Sequence, residues 1–378
     1  MAAAPYCYGP TSKLLAVAEE LRRSHTLVYV SSEPGLSLAE HGPFRRCIPN
    51  GDRHRWSADA ISALRGANLL ISFLDYNALA WARRFDVPAV FFDTLYWSRA
   101  AIPAEADYAT LYVAQRFFDP PGWQTAPRRG PWKWVGPVLS PSVENTSTVI
   151  TNRNGPKSII VNLGGLRSPA MLTDADLLYQ HWVWDILRNV PPDAYRITLC
   201  LPIYLRSRTK LNDLNPGTEV CFPSLNDFHD RLVHSDLLLT VPGLEVVFEA
   251  MAIQIPIIFL PPYNGSQALQ LAVYQHHGIG LGTLSTGRRI PIQIGPAELS
   301  PLTRQVQEHN AKVAADRSVT ELLARQLRDL LSHAAEDPSW CIARIRANGE
   351  QFRTLGSHGR VATARAVESM FNSTQSTK

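Results

Sequence analysis

Lysine is scarce in this 378-residue chain, where six lysines stand against 31 arginines. Arginine grips phosphate or carboxylate with a bidentate fork, but an excess of this kind follows mainly from genomic composition. The basic residues are scattered and the net charge is only +4. No basic stripe is interleaved with aromatics, which excludes a nucleic-acid polymer as partner. Cysteine is also sparse. Cys7, Cys47, Cys200, Cys221 and Cys341 are dispersed and odd in number, with no CxxC pair. Neither a zinc site nor a disulfide framework is therefore expected, and most of them read as small buried hydrophobes. No DxD-type acidic pair is read in a cleft loop and no Cys/His ligand cluster appears, so metal ions and cofactors are not expected. No apolar run reaches the ~18 residues of a membrane span. No charged N-terminal region leads into a long apolar one. The expectation is a soluble, cytoplasmic protein without integral membrane association.

What is present is a repeated architecture. A chain of 378 residues exceeds one ordinary core and fits two domains of about 150 residues each. In the first half, strand-like runs fall at 2–8, 26–31, 45–48, 68–74, 89–92 and 110–114, with helical patterns at 13–23, 58–66 and 77–85. Residues 137–156 are rich in Ser, Thr, Asn and Pro and lack periodicity, as a linker does. A second series follows, with strands at 158–163, 196–201, 219–222, 236–240 and 255–260 and helices at 178–188 and 225–234. A long helical region is expected over 302–335, and the last helices over 340–371. Repeated βα units predict an α/β fold with two Rossmann-like, doubly wound parallel-sheet domains; the family resemblance given below implies that they face across a cleft. The expected boundaries are an N-terminal domain at 1–139, a linker at 140–156 and a second domain at 157–350. A C-terminal helix and tail fall at 351–378, and the same resemblance implies that this helix returns to the first domain.

The most informative stretch is 235–282, SDLLLTVPGLEVVFEAMAIQIPIIFLPPYNGSQALQLAVYQHHGIGLG. It reads as a buried strand, a tight Pro-Gly turn, a helix with an inward carboxylate, a second buried strand and an amide-rich loop. Ligands of parallel sheets bind at the carboxyl ends of strands, beside helix N-termini. Gly243, Glu249, Asn264, Ser266 and Gln267 all fall there.

These residues resemble a known family. Two Rossmann-like halves, VNLGGL opening the second, and the blocks LLLTVPGLEVVFEAMAIQIPIIFLPP and NGSQALQLAVYQHHGIGLG look like an inverting, GT-B type glycosyltransferase of the UDP-sugar superfamily. The resemblance is specific over 156–282 and architectural over the first half. It implies transfer of a sugar from a nucleotide-diphosphate donor, a UDP-sugar foremost, to a small-molecule acceptor. By that resemblance Glu249 holds both ribose hydroxyls, as an acceptor-only carboxylate suits a cis-diol. Ser266 and Gln267 read the sugar hydroxyls, with Asn264 beside them. Gly164 and Gly165 let backbone approach the donor, and Phe222 with Pro223 stacks on the uracil. Tyr8, Thr11, Ser12 and Tyr96 are the candidate acceptor contacts.

The departures from the family carry information too. Val241, Pro242, Gly243, Leu244 and Val247 replace its polar diphosphate-binding residues, leaving backbone N–H groups and the helix dipole at Gly243. Glu245 lies in the first turn on nearly the face of Glu249 and repels an anion, so Arg167 is the candidate counter-charge. The retaining branch carries a Glu eight positions before its ribose Glu. Val241 stands there, which favours inversion, needing only a general base on the acceptor. The family's frequent base, a His after the first strand, is missing from YGPTSK. Asp93 and, ranked below it, Asp75 replace it as candidates, although Asp75 before Asn77 also reads as a helix cap.

A narrower resemblance, carried by PYCYGPTSKLLAVAEELR and PPYNGSQALQL, is to cytosylglucuronate synthases of nucleoside-antibiotic biosynthesis. These join glucuronate from UDP-glucuronate to N1 of cytosine, which would account for the missing His and employ Arg167 on the glucuronate carboxylate. Two other readings stay open. One is a UDP-sugar 2-epimerase of the same fold. The other is a degenerate binding protein without turnover, which Val241 and Val247 favour. A homo-oligomer is compatible with the sequence.

Overall fold

The chain forms two units, Met1–Pro141 with Leu355–Lys378, and Ser142–Thr354. A computed structural model describes all residues except 7, 51–55, 100, 120–130, 147–156, 168–170, 211–215, 289, 291–297 and 377–378. Cys7 and most of the expected linker lie outside the described residues.

The first unit is built on seven strands: β1 (Ala2–Ala3), β2 (Val28–Ser31), β3 (Arg46–Pro49), β4 (Leu70–Phe73), β5 (Ala89–Asp93), β6 (Leu111–Gln115) and β7 (Trp132–Val135). All pair in parallel, in the order β3-β2-β1-β4-β5-β6-β7. Every residue of β4 and β5 is buried, as a sheet covered on both faces requires. Helices α1 (Gly9–Leu21), α2 (Gly35–Ala39), α3 (Ala58–Arg65) and α4 (Tyr76–Arg84) connect the strands. The first strand is shorter than the expected 2–8, because the chain turns at Tyr6, whose N–H reaches the carbonyl of Ala4. The edge strand β7 was not expected. The last helix, Gly359–Ser376, packs along α1, and Arg360 pairs with Glu20. Its first residue must be glycine on steric grounds: a Cβ there would overlap the carbonyl oxygens of Gly136 and Pro137.

The second unit opens with a short α5 (Pro141–Glu144). Six parallel strands follow: β8 (Ser158–Asn162), β9 (Arg196–Cys200), β10 (Thr218–Cys221), β11 (Leu237–Thr240), β12 (Ile257–Phe259) and β13 (Gly282–Thr283). Their order is β10-β9-β8-β11-β12-β13. The helices are α6 (Ala175–Leu187), α7 (Leu225–Val233), α8 (Leu244–Ala252), α9 (Gly265–His276), α10 (Leu299–Ala314), α11 (Arg317–Glu336) and α12 (Pro338–Thr354). Ile159, Val161, Leu199 and Leu239 of the sheet pack with Trp182 and Ile186 of α6 and Leu323 and Leu327 of α11 in one core. The expected helical region 302–335 is two helices, broken at Asp316, whose side chain caps α11 through the N–H of Ser318. The expected amide-rich loop is instead the start of α9. In both sheets the strand order reverses beside the first strand, between β1 and β4 and between β8 and β11. Such a reversal opens a crevice at the carboxyl ends, where ligands bind. No helix among the described residues is long and apolar enough to cross a membrane.

Candidate functional site

The reversal in the second unit brings the glycine turn and the Pro-Gly turn together. Asn162, ending β8, accepts from the N–H of Gly164 at 3.1 Å and donates to Thr240 Oγ1, at the end of β11, at 3.3 Å. One amide thus ties both strand ends and shapes the turn. On the far side, Gly243 is the N-cap of α8 and offers no side chain to the helix end. Backbone N–H groups and the helix dipole remain there for an anion. Val241 is buried, so its side chain belongs to the core.

Asn264, Ser266 and Gln267 form one interlocked corner. The Asn264 carboxamide oxygen accepts from the Gln267 N–H at 3.0 Å and from Ser266 Oγ at 2.9 Å, capping α9. Gln267 Oε1 accepts from the N–H of Tyr263 at 2.8 Å, and Nε2 reaches the carbonyl of Gly165 at 3.4 Å. The approach is close: a Cβ on Gly165 would lie 3.1 Å from Gln267 Nε2, and the amide would have to shift by a few tenths of an ångström. Gln267 therefore bridges the loop after β12 to the turn after β8, with one Nε2 hydrogen left over.

Glu249 projects from α8 into a buried pocket, where its Oε1 lies 2.9 Å from His229 Nε2 of α7. The imidazole N–H is poorly aligned with that oxygen, and neither atom makes a well-formed hydrogen bond. The contact is an ion pair first. His229 Nδ1 lies 3.2 Å from Ser142 Oγ. Burial pulls the imidazole pKa down, but the charges of Glu249 and Glu245 outweigh it and the net shift is upward. His229 thus faces Glu249, and the Glu245 charge adds to the rise. The guanidinium of Arg167, the expected counter-charge, stacks over the Tyr204 ring at 5.7 Å. The sequence reading missed His229. Its signal was its place on the stripe Leu225, His229, Leu232, where a polar residue on a helix's inward face needs a partner.

Phe222 and Pro223 follow β10 and line a pocket of about 500 Å³ together with Arg206, Cys221 and Arg231. The Arg206 guanidinium sits over the Phe222 ring at 5.4 Å, a pairing that offers a flat, cationic wall to a planar ring.

In the first unit, Asp93 ends β5 and is fully buried. Its Oδ2 accepts from Tyr112 Oη at 2.6 Å and Tyr76 Oη at 2.8 Å, and Arg99 lies 3.2 Å away. Its Oδ1 accepts from the N–H of Leu95 at 2.7 Å. Burial and the Asp93 charge push the Tyr112 hydroxyl up, which keeps it a donor. A carboxylate with four donors receives a substrate proton only by releasing one of them, so these surroundings fit an anchor better than a base. Asp75 is the N-cap of α4, accepting from the N–H groups of Asn77 and Ala78.

Three of the expected acceptor contacts also face inward. Thr11 Oγ1 pairs with Tyr29 Oη at 2.9 Å, and Ser12 Oγ bonds back to the carbonyl of Tyr8 at 3.0 Å. Tyr96 is buried edge-on against Trp134 at 4.9 Å. Tyr8, the N-cap of α1, is part-exposed.

The two Rossmann-like units are those of the GT-B glycosyltransferase fold. The chain superposes on the spinosyn rhamnosyltransferase SpnG complexed with thymidine diphosphate with a TM-score of 0.56 and 14% identity, over 97% of this chain and 98% of that one. For SpnG complexed with spinosyn aglycone the TM-score is 0.53 at 14% identity, over 97% and 99% of the two chains. No protein-family model matches the chain, and no curated protein does.

Proposed function

We propose that the protein is an inverting glycosyltransferase that takes its donor, a nucleotide-diphosphate sugar, at the crevice between β8 and β11. The observation that carries this reading is Glu249, a buried carboxylate six residues beyond the uncapped N-terminus of α8 and held by His229. Glu249 would bind the ribose diol, and the N–H groups after Gly243 the diphosphate. The Arg206–Phe222 wall would take the base, and the spare Nε2 hydrogen of Gln267 a sugar hydroxyl. As the diphosphate leaves, the dipole of α8 offsets its growing charge. The fold is shared with SpnG, whose structure holds thymidine diphosphate. Uridine is preferred here on the residues resembling the UDP-sugar superfamily. The finer reading, glucuronate from UDP-glucuronate to N1 of cytosine, rests on the sequence resemblance alone.

One observation favours a second reading, binding without turnover: both candidate bases are engaged, Asp93 by four donors and Asp75 as a cap. Incubation with UDP- and TDP-sugars, with and without cytosine, separates the readings. Nucleotide diphosphate released only with an acceptor supports transfer. A new epimer of the donor supports a 2-epimerase, and tight binding with no product supports the degenerate protein. Absence of any nucleotide binding overturns the proposal.

A further inference from the structure

Cys200 and Cys221 end the neighbouring strands β9 and β10 and pair with each other in register. Parallel neighbours lie about 4.7–4.9 Å apart, inside the roughly 4.4–6.8 Å between Cα atoms that a disulfide spans. Their sulfurs are 3.4 Å apart and unbridged. The two thiols differ in setting. Cys200 is buried, whereas Cys221 lines the pocket with Arg206, Phe222 and Arg231. We propose that this pair is a dithiol modification site, at which a small aliphatic disulfide entering that pocket is reduced and Cys200 and Cys221 become bridged.

The chemistry follows from the asymmetry. Either thiol can donate to the other, but burial raises Cys200, while Cys221 opens onto the pocket. The Arg231 charge favours the Cys221 thiolate, against the opposing charges of Glu219 and Asp227. Cys221, the thiol that a reagent in the pocket can reach, is therefore the attacking one, as its thiolate. It attacks one sulfur of the reagent, forming a mixed disulfide and expelling one thiolate. Cys200 then loses its proton to solvent and attacks Cys221 Sγ, closing the bridge and expelling the second thiolate. Two protein thiols give up two electrons, and the reagent leaves as two thiols once protonated. Burial raises Cys47, and it raises Cys341 to about 11, so neither competes. The inference does not depend on the donor reading.

The test uses the intact protein and oxidised glutathione. Free thiols are blocked after the reaction, and tryptic peptides are weighed. The expected product joins peptide 197–206, carrying Cys200, to peptide 211–231, carrying Cys221. It should form about tenfold faster than glutathione adds to Cys47 or Cys341, and more slowly once the chain is unfolded in urea. Cys200→Ser should stall with glutathione on Cys221. A stable glutathione adduct on wild-type Cys221 without a bridge overturns the proposal, as does a bridge that forms no faster in the folded protein. Because the wild-type measurement is decisive, the proposal survives a variant that fails to fold.

Discussion

His229 Nε2 lies 2.9 Å from Glu249 Oε1, with both side chains shielded from water. The pair joins α7 to the helix that follows the Pro-Gly turn. Truncating His229 to Ala strands a buried carboxylate and should destabilise the second unit by about 3–5 kcal/mol, read from urea denaturation.

The pair also fixes a pH dependence. The folded pKa of His229 lies above the ordinary 6.5, so its contribution to stability is fully present below about 6.5 and fades as pH rises through the raised value. Glu249, Glu245 and Ser142 are the groups that face it. Stability followed from about pH 5.5 to about pH 8.5 should fall for the wild type across this window. In His229→Gln that share of the slope should vanish, and an unchanged slope would show that the titration lies elsewhere.

Glu249→Gln should weaken nucleotide-diphosphate binding by about 1.5–3 kcal/mol through loss of charge-assisted bonds. Calorimetry on a variant with wild-type circular dichroism is the measurement. Unchanged affinity in a folded variant would remove the ribose assignment.

Asp93→Asn should act on stability before turnover. The change leaves Arg99, whose side chain is only 15% exposed, without its counter-charge, a loss of about 3–5 kcal/mol. Asp75→Asn should be near neutral, since Asn caps a helix about as well as Asp. Melting curves for the two variants give the comparison. A folded Asp93→Asn protein with turnover reduced about 10²–10⁴-fold would restore Asp93 as the base.

Gly359→Ala should destabilise the first unit by about 1–3 kcal/mol or more, because the added methyl meets backbone rather than a yielding side chain. Gly66→Ala is the control, as its nearest neighbours are 3.8 Å away.

The sheets were legible because a parallel strand covered on both faces must be a short apolar run, as LISF and AVFFD are. Glu249 was legible as a carboxylate set among buried residues. β7 was not, since Trp132, Lys133 and Trp134 alternate no apolar face and remain partly open at the sheet edge. Helix α9 was hidden because Gly265 and Ser266 read as loop formers, although Asn264 caps the helix they begin. The partners of Asp93 come from α4, from the segment after β5 and from β6, and only tertiary packing joins them. The same holds for His229 and Glu249, which sit on separate helices with β11 between them.

The last helix belongs to the unit that begins the chain. Synthesis on the ribosome therefore starts the first unit before the second and completes it only after the second has been made. At about 5–20 residues per second, tens of seconds separate α1 from the helix that covers it. During that interval the α1 surface is open and the second unit emerges entire. A chain truncated after Thr354 should thus carry a finished second unit beside an incomplete first one, with the apolar flank of α1 offered to chaperones.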